Sequence, residues 1–357
     1  MKRVISWFIL LCVSAVVMAA PDPAGRALIQ GGHWKRLRAL AGPHVAANPN
    51  DAEAAFLLAY AKLAFGDLEG AQALVDKAAS LDGRNADIHF LLGRIAGQKA
   101  QKAGILKGLG LGRQYKKESD ITLSLNPNHL EALLDLMGFY YEAPGVVGGD
   151  KKKASEIAER IGKINPARGY MAQASLLSRE KTKDWSKIED LYRKAAGADP
   201  RNYEAHMALA NLYASEQYKK YDESEKLARK AMVLDPGRVG AYTLLAILDV
   251  SRDHWQDLDA LLTQSEKAIP DNLNPHYQAA RVMFTTGKDL PRAERYFRKY
   301  LALEPEGEMP HWAAAHWRLG LTLEKEGRKP EAIAELEAAL KLEPDFEPAK
   351  KDLKRLK

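Results

Sequence analysis

The chain contains one cysteine, Cys12, among its 357 residues, and it contains one long uncharged apolar run. A single cysteine excludes a disulfide framework or a multi-thiolate metal site within the chain. A single apolar run excludes a protein with several membrane-spanning helices. Neither sign of charge is in large excess, because 53 Lys and Arg residues stand against 47 Asp and Glu residues, a net charge of +6. The sequence therefore shows no sign of the clustered basic face that nucleic-acid binding requires.

The apolar run lies at the N-terminus and has the layout of a secretory signal peptide. Met1-Lys2-Arg3 gives a short positive start, residues 4–18 are uncharged, and small residues follow at Ala19 and Ala20. We predict cleavage after Ala19, so that residues 1–19 are a signal peptide. The short positive start favours export to the periplasm. The alternative is an uncleaved membrane anchor, although this run is shorter than the about 20 residues that a spanning helix needs.

Proline and glycine divide the rest of the chain into repeats. Hydrophobic residues make up 46% and charged residues 28%, which is typical of a folded protein and excludes a mostly disordered one. Short turn-forming pairs recur at intervals of 34 to 44 residues, and a fixed period near 34 is the signature of a repeat architecture. The pairs are Asn48-Pro49, Asp82-Gly83, Asn126-Pro127, Asn165-Pro166, Asp199-Pro200, Asp235-Pro236, Ile269-Pro270, Glu304-Pro305 and Glu343-Pro344.

Each repeat has the pattern of two short helices. In residues 52–85, apolar residues such as Phe56 and Leu63 recur at helical spacing. Gly66 then ends the first helix, and a second apolar face begins at Ala71. A helix-turn-helix unit of this length cannot bury its apolar faces alone, so the pattern predicts a stack of such units.

Domain boundaries follow from where this pattern begins and fades. We predict a repeat array over residues 50–346 and a degenerate N-terminal helical unit over residues 20–49, broken by Gly31-Gly32 and by Pro43. The charged residues 347–357 predict a capping helix, which an open solenoid end needs for solubility.

Small residues recur at three positions of the repeat where two helices must approach closely. This pattern resembles the tetratricopeptide repeat, which has small residues at positions 8, 20 and 27 and proline at position 32. The resemblance covers residues 50–346 and implies an all-α, right-handed superhelical solenoid of about eight units. Position 8 holds Ala59, Gly93, Ala210, Ala246, Ala280 and Gly320; position 20 holds Ala71, Ala154, Ala293 and Ala332; position 27 holds Ala78, Ala195, Ala231 and Ala339.

Two units carry inserted segments. Residues 103–112 alternate glycine with aliphatic residues, and we interpret them as a flexible loop between repeat helices or, alternatively, as a short apolar docking loop. Residues 143–151 contain three glycines ahead of Asp150, which predicts a tight turn with positive φ and a following helix capped by Asp150. With the Asn126-Pro127 and Asn165-Pro166 units, this second segment is also similar to a group of exported bacterial tetratricopeptide proteins. That resemblance implies no particular activity.

No motif predicts catalysis, a cofactor or a metal site. The Gly108-Leu109-Gly110-Leu111-Gly112 run follows no strand, and Arg113 replaces the third glycine of a dinucleotide-binding fingerprint. Asp150 stands where a phosphate loop has glycine before its lysine, Lys151 in this chain, and its charge would repel phosphate. The nine histidines include no i, i+4 pair that would place two imidazoles on one helix face. We therefore expect a protein that is not an enzyme.

The resemblance implies a concave groove lined by the first helix of each unit. Aromatic rings there would bury apolar side chains of a peptide, and Arg or Asn would hydrogen-bond its backbone or carboxylates. Asn211 is similar to the asparagine of the family's carboxylate clamp, but Met207 and Leu244 stand where its basic partners belong, so capture of a C-terminal carboxylate is not expected. Packing between repeats is the alternative role for each residue. The candidate groove residues are Phe56, Tyr60, Phe90, Arg94, Leu134, Tyr141, Met207, Asn211, Tyr277, Arg281, Phe284 and Trp317.

These observations give one functional hypothesis and two alternatives. We predict a scaffold or adaptor of the cell envelope that binds another envelope protein or a peptide in its groove, with no cofactor and no nucleic acid. The first alternative is an accessory subunit of an envelope enzyme or biosynthetic complex, which would show a pocket with convergent polar groups at the two inserted segments. The second is a scaffold tethered to the membrane by an uncleaved signal.

Overall fold

The computed structural model describes residues 22–308 and 310–357. The predicted signal peptide and Cys12 lie outside these residues. The described chain forms nineteen α-helices and one 3₁₀ turn, η1, and it contains no β-strand. No helix in this part of the chain combines the length and the hydrophobicity that crossing a bilayer requires.

The helices follow one another with short connections. In chain order they are α1 Pro23–Gly31, α2 Trp34–Ala47, α3 Ala52–Ala64, α4 Leu68–Leu81, α5 Ala86–Lys102, α6 Ile105–Leu125, α7 Leu130–Glu142, η1 Gly145–Val147, α8 Lys151–Ile164, α9 Pro166–Ser178, α10 Trp185–Ala198, α11 Tyr203–Ala214, α12 Tyr221–Leu234, α13 Val239–Ser251, α14 Trp255–Ala268, α15 Asn274–Thr286, α16 Leu290–Leu301, α17 Trp312–Lys325, α18 Lys329–Leu342 and α19 Glu347–Leu356. From α3 to α18 they form consecutive packed pairs, and each odd-numbered helix is the first of its pair.

The small residues of the repeat pattern lie where the helices pack. Every residue assigned to positions 8, 20 and 27 is buried. In the last pair, a Cβ added to Gly320 of α17 would stand 3.0 Å from the carbonyl oxygen of Ala332 in α18, so even a methyl group would crowd this contact. The predicted helix pairing and the predicted all-α superhelical fold are therefore confirmed.

Capping residues define where several of the second helices begin. Asp67, Asp184 and Asp289 each accept a hydrogen bond from the backbone N–H three residues later, at 2.9 to 3.1 Å. Such a cap satisfies one of the four N–H groups that a helix start leaves without a partner. A short polar residue at these three turns thus fixes the register at which the second helix starts.

The interpretation of residues 103–112 as a flexible loop is wrong, because the structure places residues 105–112 in the first two turns of α6. The N–H of Gly108 donates to the carbonyl of Gly104 at 2.8 Å. A Cβ on Gly108 would lie 3.4 Å from the Ala100 carbonyl oxygen of α5. Close packing on α5 therefore supports a helix that the low helix propensity of glycine does not predict.

The prediction for residues 143–151 is confirmed in its local geometry. Gly148 has φ of 102°, and the Asp150 carboxylate accepts from the N–H groups of Lys152 and Lys153 at the start of α8. Gly149 is required for close approach of the backbone, because an added Cβ would stand only 1.7 Å from the carbonyl oxygen of Ala143.

The two ends of the array are also helical. Gly32, with φ of 73°, separates α1 from α2. Pro43 was expected to break this region but lies inside α2, where Leu37 and Ala41 are buried and their packing offsets the lost backbone hydrogen bond. At the other end, α19 covers the last pair.

The start of α2 contacts the loop before α17, and we call this contact the seam. Lys35 donates its backbone N–H to the Glu306 carboxylate at 2.7 Å and its ammonium to the carbonyl of Glu304 at 2.7 Å. Arg36 makes a two-pronged ion pair with Asp271, at 2.7 and 2.8 Å. The seam thus ties the N-terminal helices to segments more than 230 residues later in the chain.

The loop of the seam also reaches the first complete helix pair. The backbone N–H of Glu308 donates to the carbonyl of Ala64, at the end of α3, at 2.8 Å. Arg38 pairs with Glu304 at 2.6 Å, and Lys102 of α5 pairs with Glu308 at 3.3 Å. These contacts join the N-terminal helices to the segment that precedes the last helix pair.

Gly149→Ala should lower the free energy of unfolding by about 1 to 3 kcal/mol, the usual range for forced overpacking. The matched control is Gly145→Ala in the same loop, whose added Cβ would meet nothing within 4 Å. Urea denaturation of both variants measures the difference. Equal stability of the two would contradict the close approach to Ala143.

Gly307→Ala should open the seam, because Gly307 has φ of 89° and its Cβ would stand 3.0 Å from the carbonyl oxygen of Ala64. We expect a larger radius of gyration by small-angle X-ray scattering. Gly287→Ala is the control, since Gly287 has φ of 73° but meets nothing within 4 Å, so it carries the backbone strain without the contact. The same expansion in both variants would show that strain, and not the seam contact, is responsible.

Candidate functional site

A row of polar and aromatic side chains crosses the first helices of the N-terminal pairs. Trp34 stacks on Tyr60 of α3, with ring centroids 6.0 Å apart. The Tyr60 hydroxyl accepts from the Arg94 guanidinium of α5 at 2.6 Å. Arg94 also pairs with Asp135 of α7 at 3.5 Å. Helices α3, α5 and α7 are therefore linked side by side through one arginine.

The charge of Arg94 is held in place by its surroundings. Burial raises the pKa of Tyr60, although the nearby Arg94 opposes that change. Burial also raises the pKa of Asp135, and Arg94 offsets this only in part. Burial acts to lower the pKa of Arg94, but Tyr60 and Asp135 outweigh it and the net direction is upward. Arg94 therefore stays charged while its partners satisfy its donors.

A cavity of about 920 Å³ lies next to this row, at the C-terminal ends of α5 and α7. The start of α6, the loop around η1 and Glu308 of the seam complete its wall. Leu109, Phe139, Pro144 and Val147 give it apolar surface. The size falls within the range of binding sites for small molecules or for a few side chains of a peptide.

Glycines on three helices create the space. Gly97 of α5, Gly108 and Gly112 of α6 and Gly138 of α7 all line the cavity. An added Cβ would meet nothing within 4 Å at Gly112, and at Gly138 it would come no nearer than 3.8 Å to the Arg179 guanidinium. Packing therefore does not require glycine at these two positions, and the residues that could fill the cavity are absent.

The charged groups around the cavity are paired with one another. Arg94 pairs with Asp135, Lys102 pairs with Glu308, and Arg179 hydrogen-bonds Glu142. Each pair joins a base to an acid across the rim, so no excess of either sign faces the space. Such a site suits an apolar or neutral ligand better than a phosphate or a free carboxylate.

A second cavity of about 310 Å³ lies beneath the seam. Trp34, Tyr60 and Gly307 line it, and it shares Arg94 and Glu308 with the larger cavity. The row of side chains, the two cavities and the seam thus form one continuous site at the N-terminal end of the superhelix.

The structure divides the candidate groove residues into buried and accessible groups. Four of them are buried and do not line an open groove: Phe56, Phe90, Met207 and Tyr277. Tyr60, Arg94 and Leu134 line the cavities. The partly accessible residues elsewhere are Tyr141, Arg281, Phe284 and Trp317, and Asn211 is exposed.

Most of the accessible residues outside the cavities are engaged within the chain. Tyr141 donates to Glu180 at 2.9 Å, and the Trp317 indole donates to Asp352 at 2.9 Å. Arg281 donates to Gln278 at 2.7 Å, and Asn211 donates to the carbonyl of Met207 in its own helix. The Lys325 ammonium lies 4.3 Å from the Phe284 ring centroid. Arg281 and Phe284 share α15 and the others lie on different helix pairs, and none of them is brought together with Tyr60 and Arg94.

Several residues of the site were missed in the sequence. Asp135 and Arg179 are ordinary surface charges by pattern, and Trp34 lies in a unit that was considered degenerate. The loop interpretation of residues 103–112 does not predict that Gly108 and Gly112 share a helix face. The i, i+4 spacing of these two glycines was the signal that could have found them.

The fold and the site define an α-solenoid whose helix pairs surround an apolar-lined cavity. The family model for the tetratricopeptide repeat matches residues 313–346, which are α17, α18 and their flanking turns. Together with the repeated helix pairs and the buried small residues described above, this match supports a tetratricopeptide repeat protein. No curated protein is similar enough in sequence to count as a relative.

Solved structures share this architecture at low sequence identity. Human IFIT1, solved as a dimer with m7Gppp-AAAA, is 18% identical with a TM-score of 0.51, and the match covers 86% of this chain and 61% of the human chain. Yeast Tom70 is 18% identical with a TM-score of 0.48, covering 93% of this chain and 79% of the yeast chain. A tetratricopeptide repeat protein from Parabacteroides merdae is 16% identical with a TM-score of 0.40, covering 85% and 98%. The match to IFIT1 shows a shared fold.

Tyr60→Phe should lower the free energy of unfolding by about 1 kcal/mol, because the Arg94 guanidinium loses the hydroxyl that accepts its hydrogen bond. Tyr192→Phe is the control. Burial raises the pKa of Tyr192, but its hydroxyl makes no hydrogen bond among the described residues. Urea denaturation compares the two variants, and an equal loss in both would show that the bond between Tyr60 and Arg94 contributes nothing.

Proposed function

We propose that this protein is a non-catalytic scaffold of the cell envelope that holds an apolar segment of another protein in the 920 Å³ cavity. The observation that carries the proposal is the cavity itself, which four helical glycines keep open although two of them could be alanine without a clash. Glycine in a helix costs about 0.5 to 1 kcal/mol relative to alanine. At Gly112 and Gly138, helix stability is therefore given up where the only visible return is accessible space.

The surface around the cavity supports a protein partner. Leu106 of α6 and Val146 of η1 are 87% and 77% exposed. They belong to the two segments that form part of the cavity wall, and these segments contact one another. Exposed apolar residues beside an apolar-lined cavity are typical of an interaction site. A bound segment that enters the cavity would also cover these two side chains.

The pairing of the rim charges favours a scaffold over the enzyme-linked alternative. That alternative requires polar groups that converge on a ligand at residues 103–112 and 143–151. The cavity lies at these segments, but its charged groups bind one another. Human IFIT1 was solved with m7Gppp-AAAA, and a phosphate chain of that kind would need basic groups without acidic partners, which this cavity does not offer.

Export to the periplasm forms part of the proposal and rests on residues 1–19. N-terminal sequencing of the protein isolated from its own cell tests this part separately. A mature N-terminus at Ala20 would support export with removal of the signal, whereas an intact Met1 would favour a tethered or a cytoplasmic protein.

Gly112→Leu should abolish partner binding, because its side chain would occupy the cavity. Gly110→Leu is the matched control: Gly110 lies in the same helix, is exposed, and does not line the cavity. Both changes should raise helix stability alike, since leucine is a better helix former than glycine.

The measurement is cross-linking in the native cell with a C-terminal tag, followed by mass spectrometry. A protein captured by the wild type and by Gly110→Leu but lost with Gly112→Leu would support the proposal. Equal capture by all three would exclude the cavity as the binding site.

A further inference from the structure

One carboxylate in the described residues is buried at a position where the last two helix pairs place Met283 and Leu323. The carbonyl of Asp249, near the end of α13, accepts from the N–H of His254, the residue before α14. In the last pair the same backbone bond joins Leu323 and Arg328. Leu323 is fully buried, and Asp249 is 2% exposed. Asp249 thus occupies a core position of the repeat.

One oxygen of this buried carboxylate lacks a hydrogen-bond donor among the described residues. Its Oδ2 atom is inaccessible and makes no hydrogen bond within the described chain. Two arginines of this region bind other acids, because Arg252 pairs with Asp222 and Glu225, and Arg229 pairs with Glu225. Burial, and then the charge of Glu225, raise the pKa of Asp249 to about 6. An ionised carboxylate in such a place requires a cation to compensate its charge.

His254 does not cap α14 with its side chain, and in this it resembles Lys220 before α12 and Arg328 before α18. Asp67, Asp184 and Asp289 use their side chains to cap α4, α10 and α16. His254 holds the equivalent place before α14, but its ring makes no capping hydrogen bond. The imidazole lies instead beside Asp257, with its Nδ1 atom 3.9 Å from a carboxylate oxygen.

These three side chains converge on one point. One ligating atom from each of Asp249, His254 and Asp257 lies within 4.8 Å of the other two. Two ligands bound to a first-row metal ion at about 2.0 to 2.2 Å stand no more than about 4.4 Å apart, so only small rotations are needed. We propose that Asp249, His254 and Asp257 bind a divalent transition-metal ion at the turn between α13 and α14.

The donor set indicates which ions the site would take. One imidazole nitrogen and two carboxylate oxygens suit Zn²⁺ and similar first-row ions, whereas Ca²⁺ and Mg²⁺ prefer oxygen ligands alone. His254 and Asp257 are partly exposed, with side chains 38% and 65% accessible, so water can complete the coordination. The buried Asp249 gives the ion an anchor inside the repeat. Binding would therefore join α13 to α14 and stabilise this pair.

The test uses the full chain with a tag that contains no histidine, stripped of metal with EDTA and then dialysed. Isothermal titration with ZnCl₂ should give one site per chain, and Zn²⁺ should raise the melting temperature. Co²⁺ should give a visible absorption band that Zn²⁺ removes. Absence of both the heat and the melting shift in the wild-type protein would overturn the proposal.

Three variants identify the ligands. Asp249→Asn, His254→Ala and Asp257→Asn should each weaken Zn²⁺ binding by more than the 10- to 100-fold that changes outside the ligand shell cost. His44→Ala removes an exposed histidine elsewhere and should bind Zn²⁺ as the wild type does. Unchanged binding in the three variants, or equal loss in His44→Ala, would contradict the assignment.

The variants also separate metal binding from a structural effect. Without metal, Asp249→Asn should not lower the melting temperature, because it removes a charge from an apolar position while keeping the shape of the side chain. If this variant fails to fold, as judged by circular dichroism, His254→Ala and Asp257→Asn decide the question, since both side chains are partly exposed.

Discussion

The close approach of the two helices in each pair is the constraint on which the structure depends. Alanine and glycine at three repeat positions are buried at these contacts, and at Gly320 the partner backbone leaves no room for a side chain. The separation of the helices sets the small rotation from one pair to the next. Because the rotations add along the array, they decide whether Lys35 and Arg36 meet Glu306 and Asp271. The contact across the seam thus depends on the local packing of the helix pairs between its two sides.

Glycine has opposite roles within one helix pair. Gly108 allows α6 to lie against the Ala100 carbonyl, which is a packing role. Gly112, one turn later, packs against nothing and leaves space. The same residue type therefore brings the helices together at one end of the cavity and keeps its wall open at the other. The cavity therefore depends on the absence of side chains at glycine positions as much as on the residues that line it.

The local architecture could be predicted from the sequence because its causes are local. Helix pairing, the small-residue contacts and the cap at Asp150 depend on spacing within one repeat. The start of α6 could not be predicted, because packing on α5 decides it against the preference of glycine. The seam and the Arg94 row could not be predicted either, since they join side chains that the pattern marks only as surface charges. Asp249 does differ from the pattern in the sequence, because it is an acid at the repeat position that Leu323 occupies in the last pair.

The seam changes how this repeat protein loses its structure. In an open array each unit contacts only its neighbours, so the ends fray and unfolding can stop part way. Here Lys35 and Glu306 are 271 residues apart in sequence, and the N-terminal helices cannot loosen without breaking that contact, whereas α17 to α19 lie beyond it. Local opening of α2 therefore costs a larger share of the global unfolding free energy, and its amide protons exchange more slowly than those of a free end. Closing so long a loop also costs entropy before the contact forms, so the seam forms late in folding and then couples the N-terminal helices to the pairs that precede α17.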